Sequence, residues 1–329
     1  MKERPIVRER RLKYSTLSTS TLTPAAIASI IVSMTRCDLC LAWNWEHDAG
    51  LARLLDEACA RRGLTLLPVT PANLDPVLAA LASGESRFRV FLDRASDSDP
   101  RFQPLVDWAR TNSARRINPQ EQARWTHDKA TMHLEFLTAG LETPHTIILP
   151  PFREQPSLPP ADLGPLGGRF AIKPGRGGGG EGVVLEAGSW EQAFAVRQQF
   201  PDEKYLLQAH VTPRLLDGRP AWFRVLACGG AVYPCWWDPR THIYARLTAE
   251  ESARFGLRGL REVARRIAQI CRLDLFSTEI ALTAEGRFVV VDYVNDPVDL
   301  RLQSAAADGV PDAIVESIAG RLARLAERV

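Results

Sequence analysis

Two hydrophobic rhythms alternate along this chain. Residues 37–43 form an apolar run interrupted only by Asp38, the mark of a strand buried on both faces. Residues 50–62 then place Leu51, Leu54, Leu55 and Ala58 at helical spacing. The pattern repeats as a strand at 64–68, a helix at 74–81 and a strand at 88–92, which predicts a small parallel α/β unit ending near Asn118. A helix over 128–139 leads through Thr143-Pro144 to a strand at 146–149. Positions 150–165 hold six prolines in sixteen residues and read as a surface connector. Beyond it strands dominate, at 170–173, 182–185, 205–208, 223–227, 231–236, 276–282 and 288–294, with helices over 190–199, 257–270 and 311–327. There is no internal repeat.

The amino terminus departs from this rhythm. A basic stretch, a Ser/Thr tract and a short apolar run occupy residues 1–33. They cannot bury enough surface to order themselves, so 1–35 is expected to be a disordered or over-long extension.

Composition narrows the class. Of 329 residues, 45% are apolar and 24% charged, the balance of a soluble globular protein. A net charge of +2 gives no field that calls for nucleic acid, and no run of about 18 apolar residues offers a membrane span. The six cysteines are scattered, as expected of reduced thiols in the cytoplasm. Cys37 and Cys40 form a C-x-x-C inside an apolar run with no second pair, which reads as structural.

The segment FAIKPGRGGGGEGVVL, residues 170–185, carries the clearest chemistry. An apolar strand delivers Lys173 at its end, and Gly177, Gly178, Gly179 and Gly180 follow. Consecutive glycines let backbone N–H groups turn toward one anion, and a lysine adds a point charge for phosphate. The order is not that of a P-loop, because no Gly-Lys-Ser/Thr opens a following helix. Downstream, Glu279 and Asp292 fall on two strands joined by a Glu285-Gly286 turn, with Asn295 near. These are hard oxygen ligands of the kind magnesium takes. Trp222, Trp236 and Trp237 read as core or pocket wall, and Asn44 to Asp48, at the carboxyl end of the first strand, as a candidate substrate loop.

Taken in order, Asn118, Asp128-Lys129, Thr143-Pro144, Ile172-Lys173-Pro174, the glycine run, Leu207-Gln208, Arg224-Val225, Glu279, Asp292 and Asn295 resemble the ATP-grasp superfamily over about residues 115–300. The likeness is strongest to the ligases that glutamylate ribosomal protein and to the glutathione synthetases. The resemblance implies an α/β (α+β) ATP-grasp fold: a pre-ATP-grasp domain at 36–114, then an ATP-grasp domain at 115–329 whose two subdomains clasp ATP, the lid being about 146–210.

By the same resemblance, Lys129 and Lys173 would hold phosphates and Gly177 to Gly180 would cover them. Gln208, Ala209 and His210 would meet adenine, while Glu279, Asp292 and Asn295 would bind Mg²⁺. Arg224 would face the transferring phosphate, and Arg301 would hold a substrate carboxylate. In this sequence Ala209 stands where the family often has an acid, and Asp292 where it usually has Glu. Asp292 and Asn295 are three apart rather than two. Either one of them leaves the strand or Asp296 takes the ligand position.

The implied function is ATP-dependent ligation of a carboxylate to an amine (or thiol) through an acyl-phosphate, releasing ADP and phosphate. The partners would be small-molecule or peptide substrates, with no nucleic acid or membrane, and a homodimer is compatible with this. A small-molecule kinase on the same scaffold and a non-catalytic ATP-binding module remain the alternatives.

Overall fold

The apolar run Cys37–Trp43 forms β1, covered on both faces as its composition requires. In this computed structural model, which describes residues 36–328, β1 is followed by α1 (Ala49–Ala60), β2 (Leu66–Val69), α2 (Leu74–Ser83), β3 (Phe88–Arg94), α3 (Gln103–Thr111) and β4 (Arg115–Ile117). The extension expected at 1–35 lies outside the described residues. The four strands are parallel, in the order β2-β1-β3-β4. Neither α3 nor β4 is foreseen by the periodicity. Helix α3 carries Pro104, which reads as a breaker but sits in the first turn, where its missing N–H costs nothing. Strand β4 is three residues long with two arginines, too short to alternate. The sheet therefore reaches Ile117, in keeping with a unit ending near Asn118 and three residues past the 114 that the resemblance implies.

Helices α4 (Gln120–Thr126) and α5 (Lys129–Thr138) come next. The Asp128 carboxylate caps α5 by accepting from the N–H groups of Ala130 and Thr131. A second, antiparallel sheet then forms from β5 (Thr146–Leu149), β6 (Phe170–Pro174), β7 (Val184–Ala187) and β8 (Tyr205–Ala209), in the order β5-β8-β6-β7. Helix α6 (Trp190–Val196) packs beneath it. Strand β7 starts two residues later than expected, because Gly182 and Val183 still belong to the glycine loop.

The Pro-rich connector is tied down by one side chain. Buried Arg197 donates from Nε to Pro150 O at 2.7 Å and from Nη2 to Pro151 O and Gln155 O, both at 2.8 Å. It satisfies carbonyls that no ladder reaches.

The third sheet is antiparallel. A ribbon of β9 (Leu215–Leu216) and β10 (Arg219–Pro220) precedes β11 (Trp222–Cys228), β12 (Ala231–Asp238) and β13 (Ile243–Arg246). Helices α7 (Ala249–Arg254) and α8 (Gly259–Cys271) lead to β14 (Leu275–Leu282) and β15 (Phe288–Asn295), giving the order β13-β12-β11-β14-β15. Helix α9 (Asp312–Glu327) closes the chain. Its Val315, Ile318 and Leu322 share one core with Leu39 and Leu41 of β1, Leu51 and Leu55 of α1, and Leu226 of β11. Each such side chain contributes about 1.5–3 kcal/mol, so α9 welds the first sheet to the third. The six cysteines are buried and free, and burial pushes the Cys37 thiol up to about 11. The C-x-x-C is packing.

Candidate active site

Strand β6 presents Lys173 half-buried near its end. The ammonium donates to Gln208 Oε1 on neighbouring β8 at 2.8 Å and to Val291 O of β15 at 3.3 Å. Lys173 thus joins the second sheet to the third. Burial pulls its pKa below the ordinary lysine value, opposed by the carboxylates of Asp292 and Glu279.

Between β6 and β7 the glycine loop turns through left-handed backbone at Gly179 (φ +63°) and Gly180 (φ +79°). A side-chain carbon at either position would meet nothing, so that flank is open. Lys129, the first residue of α5, donates from Nζ to Gly177 O at 2.7 Å and from its backbone N–H to Gly175 O at 2.8 Å. The start of α5 is so bound to the loop.

Strands β14 and β15 pair irregularly on both sides of Asp292. Ser277 faces Asn295, Glu279 faces Asp292 and Ile280 faces Val290. Two steps on β14 therefore match three on β15, and then one matches two. The extra residues put Asp292 and Asn295 on one side, with Asn295 Nδ2 donating to Asp292 Oδ2 at 2.9 Å. Burial would raise the Asp292 pKa, but Lys129, Lys173 and Arg224 together hold it below the usual carboxylate range. Glu279 accepts from Arg224 Nη1 at 2.5 Å and Trp222 Nε1 at 3.0 Å. Burial disfavours the Arg224 charge, but Glu279 leads the groups that hold its pKa above the ordinary arginine value.

A cleft of about 420 Å³ collects most of the expected residues. Lys129, Lys173, Gly177 to Gly180, Gln208, Ala209, His210, Glu279, Asp292 and Asn295 all line it. Arg224 is not in its lining but grips Glu279 and donates to Ser277 Oγ at 3.2 Å. Arg301 is not brought there. It pairs with Asp299 at 2.8 Å and Asp308 at 2.9 Å. Asp296 also points elsewhere, accepting from Asn118 Nδ2 at 2.6 Å in a separate crevice with His127. Burial pushes its carboxyl up to about 6.

Solved structures share the fold. The chain matches the RimK-domain ATP-grasp protein of Sphaerobacter thermophilus with a TM-score of 0.59 at 22% identity, over 87% of this chain and 98% of that one. The chain has the ATP-grasp fold. It also matches the D-alanine–D-alanine ligase of Bacillus anthracis, solved with ATP, at TM-score 0.56 and 12% identity over 89% of this chain and 99% of that one. The ATP-grasp ligase PsnB, solved with a minimal precursor, Mg and ADP, matches at 0.56 and 13% over 88% and 97%. No family model matches the sequence, and no curated protein does.

Within this ATP-grasp fold, the cleft also holds groups whose roles the sequence did not advertise. Trp222, Arg240 and His242 line it, and His242 stacks on Trp237 with ring centroids 5.5 Å apart. Trp222 was read only as core or wall; that its indole would hold Glu279 follows from the β11–β14 register, where Trp222 faces Ala281 and Arg224 faces Glu279. Among the described residues, no three His, Cys, Asp or Glu side chains converge as a metal site. The donor set that fits a hard cation is two carboxylates and one carboxamide, Glu279, Asp292 and Asn295, with phosphate oxygens and water left to complete it. A further crevice of about 420 Å³ lies beside Asn44, Trp45 and Asp48, where the loops after β1 and β3 part. That is the switch point at which open α/β sheets take ligands. The buried ion pair of Arg94 with Asp48, 2.7 Å, forms its floor. No helix among the described residues is long and apolar enough to cross a membrane.

Proposed function

We propose that this protein is an ATP-dependent ligase joining a carboxylate to an amine. One observation carries the reading: a single cleft is lined at once by two lysines from separate elements, four consecutive glycines, and a facing pair of carboxylates with a carboxamide. ATP and Mg²⁺, the ligands of similar folds, suit those groups. The domain division proposed is 36–117 ahead of the ATP-grasp body, with 146–209 as the lid.

In this reading Lys129 and Lys173 hold the phosphates and neutralise charge that develops on the γ-phosphoryl group. The backbone around Gln208, Ala209 and His210, at the end of β8, offers groups to adenine. Glu279, Asp292 and Asn295 would hold magnesium, which supplies charge neutralisation between phosphates when bound. Arg224 fixes Glu279 and stands behind the reaction centre. A substrate carboxylate oxygen attacks the γ-phosphorus and ADP leaves. The amine nitrogen then attacks the acyl carbon, phosphate leaves, and the amine gives up a proton. The glycine loop excludes water that would hydrolyse the activated acid.

The test is an ADP-release screen with pools of carboxylates and amines. The ligase reading expects ADP to appear only when both are present. Release with one cosubstrate and a phosphorylated product would make the protein a kinase; ATP binding without turnover across both pools would make it a binding module.

A further inference from the structure

Behind Lys173 runs a chain of polar groups that the ligase chemistry does not call for. Lys173 Nζ donates to Gln208 Oε1 at 2.8 Å. Gln208 Nε2 donates to the Tyr293 hydroxyl at 2.9 Å, and that hydroxyl lies 2.8 Å from His133 Nδ1. Tyr293 and Gln208 are each 1% exposed and His133 is 3% exposed. Three polar side chains buried this deeply on β15, β8 and α5 are costly unless every member is satisfied.

At its Lys173 end the chain has one consistent polarity. An ammonium only donates, so Gln208 must present its oxygen to Lys173. The carboxamide nitrogen then faces Tyr293, whose oxygen accepts. Gln208 Nε2 also donates to Thr146 Oγ1 at 3.3 Å, and which of the tyrosine hydroxyl and His133 Nδ1 donates to the other follows the imidazole tautomer. Burial, with His145 adding to it, lowers the His133 pKa and favours the neutral ring. A carboxamide can turn over at little cost unless its neighbours forbid it. Turned over, Gln208 would aim N–H groups at the Lys173 ammonium.

We infer that Tyr293, backed by His133, is a positioning residue: it keeps the Gln208 oxygen turned toward Lys173 and so sets where that ammonium sits in the cleft. The inference rests on the reading of Lys173 as a phosphate-binding group. Strand alternation serves it directly: the Asp292 carboxylate faces the cleft while the next side chain, Tyr293, enters the core against Phe136, ring centroids 5.5 Å apart.

The experiment measures binding of a non-hydrolysable ATP analogue by calorimetry in the full chain. Tyr293→Phe keeps the ring and removes the hydroxyl; it should weaken binding about five- to twentyfold while the protein still melts cooperatively. Phe136→Leu damages the same packing without touching the chain, and should lower the melting temperature with affinity unchanged. In a Gln208→Glu background, Tyr293→Phe should have little further effect, because a carboxylate has no wrong way round. Equal affinity in Tyr293→Phe and the unaltered protein overturns the inference alone. Equal loss in Phe136→Leu also overturns it, by reducing Tyr293 to packing. Failure of the unaltered protein to bind the analogue overturns the ligase reading and this inference together.

Discussion

Asp292 and Asn295 are three residues apart on one strand, yet their side chains meet at 2.9 Å. On a regular strand an odd spacing sends two side chains to opposite faces. The irregular pairing of β15 with β14 absorbs the odd residue, so a spacing that looks wrong in sequence gives the right geometry in space.

Lys173→Ala should abolish ATP turnover while leaving the fold intact. The ammonium is held by Gln208 and the Val291 carbonyl rather than by an ion pair, and it lines the cleft. Losing a charge-assisted phosphate contact costs roughly 1.5–3 kcal/mol of binding, about ten- to a hundredfold in affinity. Calorimetric titration with ATP, alongside a thermal melt, checks both halves. Normal turnover in a folded variant would remove Lys173 from the site.

Arg197→Met should destabilise the second sheet and its connector by roughly 2–4 kcal/mol. Three carbonyls, of Pro150, Pro151 and Gln155, lose the Arg197 guanidinium as donor in one step. Chemical denaturation would read the loss, and limited proteolysis should cut first within 150–165. A variant as stable as its parent would show that solvent can serve those carbonyls instead.

Acid should weaken the fold partly through His133. Burial lowers its pKa in the folded state, so the unfolded chain takes up the proton first as pH falls below the ordinary histidine value of about 6.5. Stability contributed by the neutral ring is complete above that pH and drains away below it. Unfolding free energies at pH 7.5 and 5.5 should differ less in His133→Asn than in the parent. Identical differences would mean that His133 does not titrate with unfolding.

These residues also show what was legible beforehand. Lys173 and its glycines lie within eight residues of one another, and a strand end followed by glycines is a local signal. The alternation of strands and helices was likewise local. The Tyr293–Gln208–His133 chain joins β15, β8 and α5, and nothing along the sequence marks a hydroxyl, an amide and an imidazole that meet only in the folded core. Arg301 failed to reach the cleft for a related reason: Asp299 and Asp308, both close in sequence, claim it first. The bulges of β15 were visible only as an awkward spacing.

That spacing leads to the sharpest prediction. If Glu279 and Asp292 ligate magnesium, alanine at either should remove activity and weaken nucleotide binding chiefly when Mg²⁺ is present. A solvated hairpin would instead show small effects without metal dependence, usually within about 0.5 kcal/mol. Asn295 and Asp296 should then separate. The Asn295 carboxamide touches Asp292 and lines the cleft, whereas the Asp296 carboxyl accepts from Asn118 and lines another crevice. Asn295→Ala should therefore lose Mg-dependent binding, and Asp296→Asn should keep it, since the carboxamide can still pair with Asn118. Titration of nucleotide with and without Mg²⁺ decides the matter. If Asp296→Asn were dead and Asn295→Ala active, the assignment of the ligand would pass to Asp296, against the geometry of β15. Should Glu279, Asp292 and Asn295 all tolerate alanine with metal dependence intact, the cation binds at some other place in the chain.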